Sequence, residues 1–335
     1  MVPQERYGVL LVNTGSPSEP TPQAVRQYLS EFLMDPAILP MNRIAWWLIL
    51  HLFILPKRGV RSAAKYERIW TDEGSPLVVV TSELEDKLIE QIEMEGVDAV
   101  VRCCFSYGEP SIAGSLEEMR AAECTKLVVL PMYPQSAYST CGAVRGNFKR
   151  IFEPMGWDVP VEIIDNYHDN PVYIRSIADS IRRAGFDPAS DDRLLFAYHS
   201  IPLVDIENGD TYELQTSATS LQVATELGID HGRWSIGYQC RFDKGRTWLS
   251  PYVDEVLDRL AEGGRGRLFY VCPNFSIDCL ETLYDVQYEH KQRYLDRLQE
   301  AGVEPSEDLF VYVPCLNASN AHVRTLCDVL DPYLK

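Results

Sequence analysis

The sequence predicts an α/β fold with parallel sheets covered by helices, and three observations carry that expectation. Short apolar runs alternate along the chain with segments of helical periodicity, the pattern of βαβ units. Most runs are apolar nearly throughout, as strands buried on both faces are. The 335 residues, 46% of them hydrophobic, suffice for two such units, each with its own core.

The strand candidates are Tyr7–Asn13, Ala99–Phe105, Lys126–Met132, Val161–Asp165, Arg193–Tyr198, Trp234–Gln239, Arg267–Val271 and Leu309–Val313. The first helix should begin at Thr21-Pro22, an N-cap residue followed by proline at the first helical position. A second runs from about Ser82 to Met94, with Leu84, Leu88, Ile89 and Ile92 at helical spacing. No glycine-rich GxGxxG turn follows the first strand, so a dinucleotide site is not supported.

The net charge of −18 argues against a nucleic-acid partner and gives no broad attraction to anionic lipid. Nine cysteines without CxxC spacing are not a secreted disulfide framework. The first residues lack a signal-peptide core, so the expected location is the cytoplasm.

The most apolar stretch is residues 44–55, which includes Trp46, Trp47, Leu48, Leu50, Leu52 and Phe53. As a helix it spans about 18 Å, short of a bilayer core. Three readings stay open: a buried core helix, the lining of an apolar pocket, or a shallow membrane anchor. In the last, Trp46 and Trp47 lie at the interface, with Arg43, Lys57, Arg58 and Arg61 near headgroups.

Two segments place one ionisable side chain each just past a strand. Phe196-Ala197-Tyr198-His199-Ser200-Ile201-Pro202 offers His199, and Cys272-Pro273-Asn274-Phe275-Ser276-Ile277-Asp278-Cys279-Leu280-Glu281 offers Glu281. Ligands of parallel α/β sheets sit at the carboxyl ends of strands. A neutral imidazole and a carboxylate meeting there can remove protons and hold a divalent metal of intermediate softness. Asp285 and Glu289 follow Glu281 at i+4 and i+8. Like charges at that spacing repel, so the ladder does not serve helix stability. A π-bulge there would bring its members closer into line.

These segments resemble the ferrochelatase family, enzymes that insert Fe2+ into a porphyrin. The resemblance continues through Leu10–Pro17 with its Asn13-Thr14-Gly15, Gly74-Ser75-Pro76-Leu77, Pro131–Gln135, Gly209–Tyr212, Tyr238-Gln239-Cys240-Arg241, Trp248-Leu249-Ser250-Pro251 and Leu316-Asn317. Asn274 stands where the family usually has Gly, and Cys240 where it usually has Ser. The resemblance implies two Rossmann-like domains with a porphyrin cleft between them: residues 1–165 plus 314–335, and residues 166–313. It implies catalysis and metal holding by His199 and Glu281, and a proton or metal relay through Asp285 and Glu289. Substrate contacts are expected from Thr14, Ser106, Tyr133, Ser139, Trp248 and Phe275, with Trp248 at the cleft wall. At Ser106 and Tyr107 some relatives carry basic or imidazole groups, a departure that counts against a charge-based propionate contact there. Residues 44–55 correspond to a lip over the cleft, which adds possible contact with the inner face of the cell membrane.

No permanently bound cofactor is expected, and Fe2+ is a substrate. Relatives with a [2Fe–2S] cluster have a cysteine where this chain has Tyr138, and Cys141 is displaced by three residues. Coproporphyrin-type enzymes usually have Tyr at the position of Thr14 and tend to lack a long apolar lip. Protoporphyrin IX is therefore the favoured substrate. A coproporphyrin III enzyme, a chelatase for a sirohydrochlorin-like ring, and a non-enzymatic porphyrin or heme carrier are the alternatives.

Overall fold

The computed structural model describes residues 5–39, 42–240, 245–263 and 266–335. Arg241, the last residue of the Tyr238–Arg241 motif, lies outside them. The chain divides into two compact units, residues 1–166 with 318–335, and residues 167–317. Each contains one four-stranded sheet in which all pairings are parallel, as the alternating pattern predicts.

In the first unit β1 (Tyr7–Asn13), β2 (Ala99–Phe105), β3 (Lys126–Pro131) and β4 (Val161–Ile163) pair in the order β2-β1-β3-β4. Central β1 is buried along its whole length, which explains its unbroken apolar sequence. Leu10, Val12, Leu127 and Val129 pack against Ile112, Leu116 and Met119 of α5 (Ile112–Ala121) and Val144 and Phe148 of α6 (Ala143–Phe152). Helix α1 (Pro22–Leu33) starts as expected, with Thr21 Oγ1 accepting the Ala24 N–H at 3.3 Å. Helix α4 (Pro76–Met94) starts six residues before Ser82, because Pro76 suits its first turn and the Ser75 carbonyl accepts from Val78 and Val79. After the second unit the chain returns as α12 (Asn320–Leu330), which packs on α4.

Residues 44–55 belong to α2 (Arg43–Ile49), a π-helical turn (Leu50–Ile54) and the start of α3 (Leu55–Ile69). Pro56 has no N–H for the Leu52 carbonyl, and the chain widens so that Leu55 N–H bonds Leu50 O. The segment has two faces. Trp46 and Leu50 are buried, and Trp46 Nε1–H donates to Leu33 O at 2.7 Å. Ile44, Trp47, Leu48, Ile49, Leu52 and Phe53 are exposed, Phe53 by 67%. This corrects the expectation that Trp46 and Trp47 share an interface. One helical step apart, they are turned about 100° from each other around the axis, and the indole N–H of Trp46 needs its buried acceptor.

In the second unit β5 (Arg193–His199), β6 (Trp234–Gln239), β7 (Leu268–Val271) and β8 (Phe310–Val313) pair in the order β6-β5-β7-β8. Leu195, Ala197, Leu268 and Tyr270 pack against Val256 and Leu257 of α10 (Val253–Glu262) and Leu298 of α11 (Lys291–Glu300). At the amino end of the sheet Arg267 grips buried Asp192 with two bonds, Nε to Oδ1 at 3.1 Å and Nη2 to Oδ2 at 2.7 Å. The carboxyl end is left to His199 and the loop after β7.

Candidate active site

His199 is the last residue of β5, opposite Gln239 of β6. Its Nδ1 lies 2.7 Å from the Ser200 carbonyl. That acceptor requires the proton on Nδ1 and leaves Nε2 for chemistry. The loop after His199 is pinned from both sides. Ser200 N–H donates to Gln239 O and its hydroxyl to Leu249 O, both at 2.8 Å, while Leu249 N–H donates to Ile201 O at 2.9 Å. Trp248 is only 5% exposed and bridges to Pro202, with the Arg246 guanidinium 4.8 Å from its ring centre. Its backbone belongs to an antiparallel contact with the His199 loop, in which Leu203 N–H donates to Thr247 O and Leu249 N–H to Ile201 O, each at 2.9 Å.

Cys240 follows β6 with φ of 66° and is exposed. Burial opposes a charged His199 imidazole. Cys240 and Glu281 beside it and the Ser200 carbonyl outweigh that and push it up to about 9.

The loop after β7 is organised by Asp278. Its carboxylate, 7% exposed as a residue, accepts from Thr282 Oγ1 at 2.9 Å, Tyr312 OH at 2.5 Å and Asn317 Nδ2 at 2.7 Å. Asp278 N–H donates to Asn317 Oδ1 at 2.9 Å. Glu281 then opens a π-helix, Glu281–His290. Its widened winding carries the whole expected ladder and reduces the angular drift between i and i+4. Burial falls along it: Glu281 and Asp285 are half-buried and Glu289 is exposed. Cys279 Sγ lies 3.1 Å from Glu281 Oε2. Phe275 is half-buried against the core of this unit. Sequence reasoning missed Asp278, Cys279 and Cys240 as neighbours of the site. A carboxylate four residues before a threonine at a helix start was the available signal for Asp278.

In the first unit Thr14, Ser106 and Tyr133 leave neighbouring strands at the same edge. Ser106 N–H donates to Asn13 O at 2.8 Å and Tyr107 N–H to Thr14 O at 3.0 Å. The hydroxyls of Thr14 and Tyr133 are hydrogen-bonded. Gly15 has φ of 112°, and a Cβ there would stand 1.8 Å from Tyr107 O, so only glycine permits this approach. Ser139 lies in a separate π-helical turn, Tyr138–Gly142, and is half-buried. The structure therefore brings Thr14, Ser106 and Tyr133 together within one unit, and His199, Trp248 and Glu281 within the other. Among the described residues no group of three or more His, Cys, Asp or Glu is arranged to hold a metal ion.

The Ferrochelatase family model matches residues 6–333. The chain belongs to the ferrochelatase family. It is 39% identical over 332 residues to a ferrochelatase of Methylococcus capsulatus, covering 98% of this chain and 97% of that one. It is 36% identical over 326 residues to a ferrochelatase of Actinobacillus pleuropneumoniae, covering 97% and 98%. Among solved structures it resembles SirB from Bacillus subtilis, with a TM-score of 0.55 at 9% identity, covering 97% and 94% of the two chains. That likeness shows the chelatase fold alone. Membership in the ferrochelatase family makes this a porphyrin metal chelatase, with a porphyrin and a metal ion as substrates. No helix among the described residues is long and apolar enough to cross a membrane.

Proposed function

We propose that this chain inserts Fe2+ into protoporphyrin IX to give protoheme and two protons, the terminal step of heme synthesis. The observation that carries this reading is the position of His199 at the end of β5 and of Glu281 at the helix start that follows the neighbouring strand β7, with Glu281 among the groups that favour the charged imidazole. Metal insertion breaks two pyrrole N–H bonds and forms iron–nitrogen bonds, with no net electron transfer. His199 Nε2, once it has shed its own proton, is the acceptor for a pyrrole proton. Glu281 neutralises the arriving cation and, with His199, offers an open pair of ligands that releases iron to the macrocycle. Asp285 and Glu289 extend this carboxylate row outward as the relay.

Thr14, Ser106, Tyr133, Ser139 and Phe275 are the proposed porphyrin contacts. Thr14, where coproporphyrin enzymes usually carry Tyr, supports protoporphyrin IX, and so does the exposed apolar face of Trp47, Leu52 and Phe53. That face is also the proposed point of peripheral contact with the inner surface of the cell membrane. The enzyme is proposed to work without a resident cluster, because Tyr138 replaces the cysteine such a cluster needs.

The test is insertion of Fe2+ and Zn2+ into protoporphyrin IX and coproporphyrin III by purified protein. Higher kcat/KM with protoporphyrin IX is expected. Preference for coproporphyrin III would shift the substrate assignment. Tight porphyrin binding without insertion of either metal would make the chain a carrier.

A further inference from the structure

We propose that Tyr270 is a positioning residue, clamping the far end of the Glu281 helix through His290 and so fixing how Asp285 and Glu289 are aimed; its effect on turnover rests on the function proposed above. Tyr270 lies in β7 and is fully buried. Its hydroxyl donates to Gln239 Oε1 at 3.1 Å, and the same oxygen is 2.9 Å from His290 Nδ1. An amide oxygen only accepts, so the phenolic proton is committed to Gln239 and His290 Nδ1–H is the donor to the phenolic oxygen. The Tyr270 and His290 rings also stack, with 5.7 Å between centres and 28° between planes.

Burial requires only that a tyrosine hydroxyl find a partner. Here its two partners come from the elements that carry Glu281 and hold His199. His290 is the last residue of the π-helix that Glu281 opens, after which α11 resumes ordinary winding. Gln239 is the register partner of His199, and its carbonyl accepts the Ser200 N–H at 2.8 Å. Gln239 Nε2 is buried without a hydrogen-bond partner among the described residues, so the amide is anchored through Tyr270.

Winding of the π type rarely extends beyond a single turn, and this helix has ten residues of it. Two neighbouring tyrosines secure its ends. Tyr312 bonds Asp278 ahead of the helix, and Tyr270, the register partner of Tyr312, bonds His290 at its close. The number of residues per turn sets the angle of each side chain about the axis. A helix released at His290 can rewind from that end, which would re-aim Glu289 first and Asp285 next.

The test is insertion of Zn2+ into protoporphyrin IX by the parent, Tyr270→Phe, His290→Leu and His290→Asn, with hydrogen exchange on each metal-free protein. Tyr270→Phe keeps the ring but strands the buried Gln239 amide, so the half-buried His290 provides the second pair of variants. Asn retains an N–H donor and Leu does not. Tyr270→Phe and His290→Leu should lower kcat by about three- to tenfold, the worth of one hydrogen bond, with porphyrin KM unchanged. His290→Asn should stay close to the parent. Amides of residues 285–290 should exchange faster in the two clamp-free variants, with β5 unchanged. His290→Leu combined with Asp285→Asn should lose less than the product of the single losses, because both act on one row. Unchanged kcat and exchange in His290→Leu, a loss that His290→Asn does not restore, or multiplicative losses would overturn the clamp and leave the enzyme reading intact. A parent that inserts no metal would overturn the enzyme reading, and the exchange pattern would then decide the clamp by itself.

Discussion

Asp278 holds Tyr312 by a hydrogen bond of 2.5 Å, joining the base of the Glu281 helix to the last strand of its sheet. Thr282, one residue past Glu281, is bound to the same carboxylate oxygen. Glu281 is therefore positioned by a group outside the ladder. Asp278→Ala is predicted to strand buried donors at about 1–3 kcal/mol and to lower kcat as Glu281 loses its support. Asp278→Asn should recover part of both. Chemical denaturation with steady-state kinetics checks this, and an unchanged stability with unchanged kcat would refute the positioning role.

His199→Ala is predicted to fold, bind porphyrin and lose about 10²–10⁴ in insertion rate, the usual effect of removing a general base. The motive is its pinned place at the end of β5. Stopped-flow insertion with a porphyrin titration separates chemistry from binding, and near-normal turnover would remove His199 from the centre.

Burial along the π-helix sets an order for the ladder. Glu281→Gln should impair turnover most, Asp285→Asn less and Glu289→Gln least, because an exposed carboxylate is replaceable by water. If Glu289 proves the most sensitive, the reaction centre lies elsewhere along this helix.

The two faces of the apolar segment should respond differently. Trp47→Glu and Phe53→Glu alter exposed side chains and should move stability by no more than about 0.5 kcal/mol. Porphyrin affinity and binding to lipid vesicles should fall instead. Leu50→Glu and Trp46→Glu bury a charge and should cost at least the roughly 2–5 kcal/mol of a buried leucine truncation. Thermal melts beside vesicle and porphyrin titrations decide this. Unfolding by Phe53→Glu would return the whole segment to the core.

The raised His199 group gives a pH signature. Its folded value, about 9, exceeds the ordinary 6.5. Its stabilising contribution is therefore fully present below about pH 6.5 and lost as pH rises through about 9. The stability gap between parent and His199→Ala should shrink over that window, and Cys240→Ser should lower the midpoint. An NMR titration of the metal-free protein reads it directly, and a midpoint at or below 6.5 would contradict the local electrostatics.

Much of this molecule was legible in the chain itself. Strands buried on both faces must be apolar throughout, so the eight candidates appear with ends shifted by no more than two residues. The segments around His199 and Glu281 carry short-range information, and they named the family before any tertiary contact was known. Tertiary structure alone decided the rest. Tyr312, Asn317 and Asp278 are brought together by strand order, which a linear pattern does not encode. Trp46 and Trp47 are equally apolar as residues, and only packing against Leu33 buries one and exposes the other. The upward shift of His199 likewise comes from Cys240 and Glu281, some forty and eighty positions away, because electrostatics act through space and not along the chain.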